Sequence, residues 1–378
     1  MNFKFYSSLF IIATLFFGFI SCSPRINKDS SLKKIIYPAA PDTAKIQYLT
    51  SISTSLDVAI KQSAFTKSVL GENPVLPIYK PYGVFMRNGK LYVCDVSLGG
   101  GLEIIDFETK EFKYFVPEGQ YQLKLPLNSY ADKNDWLYVA DIALHKIFVF
   151  DNIGKYITSF GKKENLKPSD VFVTKNKIFV ADSGNNRINV YNKDNYKFEY
   201  YFPKSKSGSK DYLYKPANIT LSNDKVFVSD MGAGNIKIFT HKGAYLNTIS
   251  KYGKNIGELV RPKGIAVDKE ENIYVVDASF ENIQIFNKEG KLLLFFGGHY
   301  KNHGDMWLPA KVMIDYDNLK YFKKYVDPKF DLEYLIFVAN QYGPDKVSIY
   351  GRITPTKDKV ESKISNNKTL KKETKNIK

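Results

Sequence analysis

Apolar residues in this chain come in closely spaced pairs of short runs. Lys177 to Tyr191 reads KIFVADSGNNRINVY: a nearly unbroken apolar stretch, an acidic residue, a polar link and a second apolar stretch. The pattern returns as WLYVADIALHKIFVF from Trp136, KVFVSDMGAGNIKIF from Lys225 and NIYVVDASFENIQIF from Asn272. Short runs rich in Val, Ile, Phe and Tyr and bounded by Gly, Asn, Asp and Lys are strand signals. Because these runs are apolar throughout rather than in alternation, both faces of each strand must be covered.

A second landmark gives the period. A basic or apolar residue followed by Pro opens each unit at Pro81, Pro126, Pro168, Pro216, Pro262 and Pro309, at separations of 45, 42, 48, 46 and 47 residues. The first apolar run of each pair ends on Asp95, Asp141, Asp182, Asp230 and Asp277, with Asn340 in the sixth place. Each of the first five units carries four short strand-like segments, a four-stranded antiparallel meander. Such a sheet cannot hide two apolar faces alone, and stacking radially about an axis gives every copy two neighbours. The pattern therefore predicts an all-β fold, a six-bladed β-propeller.

Ring closure makes the prediction sharper. The sixth unit has KVMIDYD, YLIFVAN and KVSIYG but no fourth strand, whereas KIQYLTSIS, Lys45 to Ser53, stands unassigned before the first unit. That segment is expected as the outer strand of the last blade. Asp57 to Leu70 is expected as a short helix leading to the first inner strand. The repeated Asp is read as structural, its carboxylate accepting backbone N–H groups of the following loop.

The two ends differ from this body. One positive charge at Lys4, an apolar run from Leu9 to Ile20 and the small Ser21 before Cys22 read as an export signal, too short to span a bilayer. From about Thr354 the chain carries eight Lys against three acidic residues and almost no large apolar side chains. It cannot bury enough surface to offset its chain entropy, and part of the overall charge of +16 resides there. Cys94 is the only other cysteine, so no disulfide is expected once Cys22 is modified. The expected organisation is a signal peptide over 1–21, a linker over 22–41, the propeller over 42–353 and a disordered Lys-rich tail over 354–378.

The stretch RPKGIAVDKEENIYVVDASFENIQIFNKEGKLLLFFG resembles the NHL repeat of six-bladed propellers, and YPAAPDTAKIQYLTSIS resembles the opening of an uncharacterised group of bacterial lipoproteins of this kind. FISC is similar to a lipobox, which implies diacylglycerol on Cys22, and Ser23 after it resembles an outer-membrane address. The implied location is the cell envelope, on either face of the outer membrane, with the membrane reached through the N-terminal lipid. Nucleic acid is then excluded as a partner; an envelope protein, a glycan or a small ligand is expected. The NHL resemblance also covers peptidyl-α-hydroxyglycine amidating lyase, which holds zinc through channel histidines, yet no inner strand here contains a His.

In propellers of this class the loops joining successive blades usually carry the ligand. GGHYKNHGDMW concentrates His299, Tyr300, His303, Asp305 and Trp307 in one such loop, and Arg261 stands before the fifth Pro. Two His and an Asp are zinc-type donors, but a loop lacks fixed helical spacing. No catalytic residue, metal site or cofactor is therefore assigned. The expectation is a binding scaffold, with a lyase or hydrolase acting at the channel mouth as the alternative. YDNLKYFKKYVDPKFDLEY, between the first two strands of unit six, is expected as an enlarged hairpin packing its own rings, or as a partner platform of aromatics and Lys.

Overall fold

The computed structural model describes residues 34–356, apart from 60–61, 64–66 and 70. Among the described residues there are six antiparallel sheets, five of four strands and one of five. Their first strands, Pro81–Arg87, Pro126–Ala131, Pro168–Val173, Pro216–Ser222, Pro262–Val267 and Pro309–Asp315, neighbour one another in a closed ring. These six inner strands line the channel of a six-bladed β-propeller. Second and third strands are buried nearly throughout, as in Lys177–Asp182 and Arg187–Asn192, because each lies between two neighbouring blades. The fourth strands face solvent and show it: Phe198–Phe202 and Tyr245–Ile249 are exposed or half-buried along most of their length.

Ile46–Ile52 pairs antiparallel with Val347–Pro355, Tyr48 opposite Tyr350 and Ile52 opposite Val347, so the N-terminal strand completes the last blade. One strand more than expected joins this sheet. Ile36–Tyr37, assigned to the linker from sequence, pairs with Gln47 and Ile46 as a fifth, outermost strand. The reason is local. Tyr37 packs at a tilt against Phe296 of blade five, and its hydroxyl donates to the Gly304 carbonyl at 3.0 Å, which anchors a segment whose apolar run, Ile35 to Tyr37, is very short. At the other end the last strand runs to Pro355, two residues beyond the expected boundary. In place of a helix from Asp57 there is a 3-10 turn at Ser55–Asp57, capped by Thr54, with residues 67–69 helical further on. The signal segment, Cys22 and the tail beyond residue 356 lie outside the described residues.

The blade-six insertion differs from an isolated hairpin. Two 3-10 turns, Leu319–Tyr321 and Lys323–Tyr325, swing Phe322 into the seam between blades six and one, where it is 2% exposed. Phe322 meets Phe337 of its own blade at 5.6 Å and Phe107 of blade one at 5.2 Å. The Tyr321 hydroxyl donates to Glu108 of blade one at 2.6 Å, and Gln47 of the N-terminal strand bonds the Tyr325 carbonyl and the Asp327 N–H. The insertion is thus a clasp across the closing seam.

The repeated acids brace five of the six blade-to-blade turns. Asp95 accepts N–H groups from Tyr79 and Lys80 before the Pro and from Ser97 after it, and Asp141, Asp182, Asp230 and Asp277 repeat the arrangement. Five carboxylates therefore satisfy backbone donors that a buried turn would leave orphaned. At the sixth place Asn340 turns its amide to the Asp345 carbonyl, and Glu281 of blade five takes the N–H of Leu308 instead.

Candidate functional site

Every inner strand slips register just after its Pro, a bulge that re-aims the side chain two positions on. Those positions hold Gly83, Asn128, Asp170, Asn218, Gly264 and Lys311. Blades three and six are opposite in a ring of six. Lys311 Nζ, from blade six, lies 2.8 Å from Asp170 Oδ2 of blade three and 2.5 Å from Asn218 Oδ1 of blade four, so the pair spans the axis. Asp170 Oδ2 also accepts the Ile219 N–H at 3.0 Å. Burial raises the Asp170 carboxyl, opposed by the Lys311 ammonium. Close approach around this bar requires glycine: a Cβ on Gly264 would meet the Val312 nitrogen at 2.5 Å, and one on Gly83 the Leu127 carbonyl oxygen at 2.5 Å.

Beyond the bar, toward the hairpins joining first to second strands, the channel widens into a funnel of about 360 Å³. Its wall takes Phe85, Tyr130, Phe172, Thr220, Val267 and Met313, one from each blade. Three of these form a continuous aromatic arc, Phe85 to Tyr130 at 4.5 Å and Tyr130 to Phe172 at 4.8 Å between ring centres. Burial pushes the Tyr130 phenol up to about 12, so its hydroxyl stays neutral and able to donate. At the rim Lys269 Nζ sits 4.0 Å from the ring centre of Tyr316. An aromatic and aliphatic wall with polar groups at floor and rim, among them Arg87, Asp315 and Asp317, is compatible with a small-molecule site.

The loop singled out from sequence lies on the opposite, blade-joining face, and the structure divides its residues among separate partners. His299 pairs with Glu281, while His303 reaches Asp345 at 2.9 Å and stacks on Tyr48. Asp305 folds back onto the N–H groups of Lys301 and Asn302, and Tyr300 contacts Asp345 Oδ2 at 3.4 Å. Trp307, 45% exposed, stands between Tyr300 and Tyr342. Among the described residues no cluster of three His, Cys, Asp or Glu is placed to hold a metal ion. Cys94 is fully buried, and that burial raises its thiol far from thiolate chemistry. Arg261 is exposed at the channel entrance on this face, apart from the loop.

Sequence reasoning missed Asp170, Lys311 and the aromatic arc. A signal was present: at the second residue after Pro the repeat holds Gly or Asn four times, and a charge only in PSD and PAK.

The fold and channel define the class: a six-bladed β-propeller with a barred central channel. The family model DUF5128, described as a 6-bladed beta-propeller, matches residues 208–377. No curated protein matches the chain. Among solved structures it is similar to a structural-genomics protein of unknown function from Bacteroides thetaiotaomicron (11% identity, 82% of this chain and 76% of that one, TM-score 0.57). It is also similar to a streptogramin B lyase (15% identity, 73% and 84%, TM-score 0.51). A third is a catalytically inactive virginiamycin B lyase from Staphylococcus aureus with quinupristin (14% identity, 72% and 95%, TM-score 0.51). At these identities the likeness is one of fold.

Proposed function

We propose that this protein is a binding propeller of the bacterial envelope, NHL-like and held to the membrane by lipid on Cys22, and that its ligand seat is the aromatic funnel. The observation that carries the reading is the funnel itself: about 360 Å³, one wall residue from each blade, and a floor at which Asp170 and Lys311 are spent on each other. A carboxylate already bonded to an ammonium and a backbone N–H is poorly placed as a free base, which favours binding over catalysis. The arc of Phe85, Tyr130 and Phe172 offers flat faces to a planar or sugar ring, and the site suits a small ligand or a peptide side chain better than a broad protein surface.

The test is thermal stabilisation by a panel of planar aromatic compounds and oligosaccharides, run on the natural chain and on Thr220→Trp. Thr220 is half-buried in the wall, so the larger ring fills the seat without entering the core. Compounds that raise the melting temperature of the natural chain are expected to lose that effect in T220W. Stabilisation that survives T220W unchanged, or none from any compound, overturns the reading.

A further inference from the structure

The second mouth of the channel, on the blade-joining face, has a different chemistry. The residue directly after each Pro is Tyr82, Leu127, Ser169, Ala217, Lys263 or Ala310. Lys263 of blade five is 4% exposed, and its ammonium reaches past the small Ala310 of blade six to lie 5.1 Å from the ring centre of Tyr82 in blade one. Among the described residues no hydrogen bond or ion pair involves that ammonium, and the Tyr82 ring is the one group it meets. The charges that act on it are Arg261, exposed at the entrance, and Lys80, whose ammonium lies over the Tyr342 ring at 4.8 Å. Asp170, the acid of the channel bar, is committed to Lys311. Lys346, beside Tyr342, spends its ammonium on the Tyr79 carbonyl.

A buried ammonium without a carboxylate, flanked by two further cations, is costly unless an anion completes it. We propose that this mouth is a binding site for a compact, multiply charged oxyanion, a phosphoryl group, held by Lys263 from within and by Arg261 and Lys80 from the rim. Three converging positive charges match a dianion better than a single carboxylate, and the guanidinium supplies a two-pronged donor where the ammonium groups act as point charges. The Lys311–Asp170 bar closes the channel behind the site, so the anion enters and leaves by the same mouth. Burial and the two neighbouring cations pull Lys263 down to about 7. Near pH 8 it is therefore largely neutral, and a bound anion draws a proton onto it.

Isothermal titration of the full chain with inorganic phosphate at pH 8, in two buffers of different ionisation enthalpy, tests this. Saturable binding with uptake approaching one proton is expected, lost in Lys263→Met. The exposed Arg261→Gln, which cannot disturb the core, is expected to weaken binding by at least about tenfold. A flotation arm with vesicles containing phosphatidic acid, whose phosphomonoester headgroup can carry two negative charges, distinguishes the source. Flotation that needs Lys263 and Arg261, with no response to free phosphate, assigns the phosphoryl group to a lipid headgroup. Absence of binding in both arms, or binding that K263M and R261Q leave unchanged, overturns the proposal. The funnel variant T220W is expected to bind phosphate normally, so this test and that of the funnel fail independently.

Discussion

Glu103 is the most sharply testable residue of the interior. It lies on the third strand of blade one, fully buried, with its carboxyl facing that of Asp95, and among the described residues no cation is paired with it. Asp95 is held as an acceptor by the N–H groups of Tyr79, Lys80 and Ser97, so the proton resides on Glu103. Burial first, and the Asp95 carboxylate second, push Glu103 up to about 10 from 4.5. The native state thus holds a proton that the unfolded chain releases above about pH 4.5. Stability from this group is full below that pH, falls as pH rises, and stops falling only near pH 10, because the folded state binds more protons across the window. At pH 7 the cost follows from the unfolded value alone and is about 3 kcal/mol. Glu103→Gln keeps the shape and the donor while removing the titration. Urea unfolding of both proteins at several values between pH 6 and pH 9 should show the stability difference moving in favour of E103Q by about 1.4 kcal/mol per pH unit, about 4 kcal/mol over the range. A difference that stays constant with pH, whatever its sign, refutes the shared-proton account.

Three further outcomes follow from other parts of the molecule. Lys311→Met leaves Asp170 buried without its cation and is expected to cost about 3–5 kcal/mol in denaturant unfolding, whereas Lys311→Met with Asp170→Leu recovers most of the loss. Phe322→Ala empties the clasp over the closing seam, with an expected loss of about 3–5 kcal/mol and first hydrogen exchange in Ile46–Ile52 and Phe330–Asn340, read by mass spectrometry. Cys22→Ser is expected to move the protein from the membrane to the soluble fraction of fractionated cells; persistence in the membrane pellet removes lipid anchoring from the proposed function.

How much of this was legible in the sequence follows from the range of the forces involved. The Pro and Asp landmarks recur because each blade needs the same turn braced by the same carboxylate, so blade number could be counted. Closure was legible too, since a missing fourth strand and an orphan one are complementary apolar patterns. Lys311 and Asp170 stand 141 residues apart, and their meeting depends on which blades face each other across a closed ring. The Phe85, Tyr130 and Phe172 arc was hidden for the same reason, each aromatic reading locally as one more strand residue. The histidine-bearing loop drew notice because its residues are close in sequence, yet each packs against a separate acid, His299 on Glu281 and His303 on Asp345.

The pairing of Gln47 with Gly351 has a consequence for biogenesis. A polypeptide delivered amino-terminus first presents its latch strand before any blade, but the edge that receives it arrives only after the first five blades. Until then blade one has a bare flank, because the strands that cover it belong to the last blade. Such distant pairing is slow to form and leaves the nascent molecule open to wrong partners meanwhile. Ring closure therefore waits for the last blade, and a product truncated before Val347 would lack the edge on which the latch strand docks.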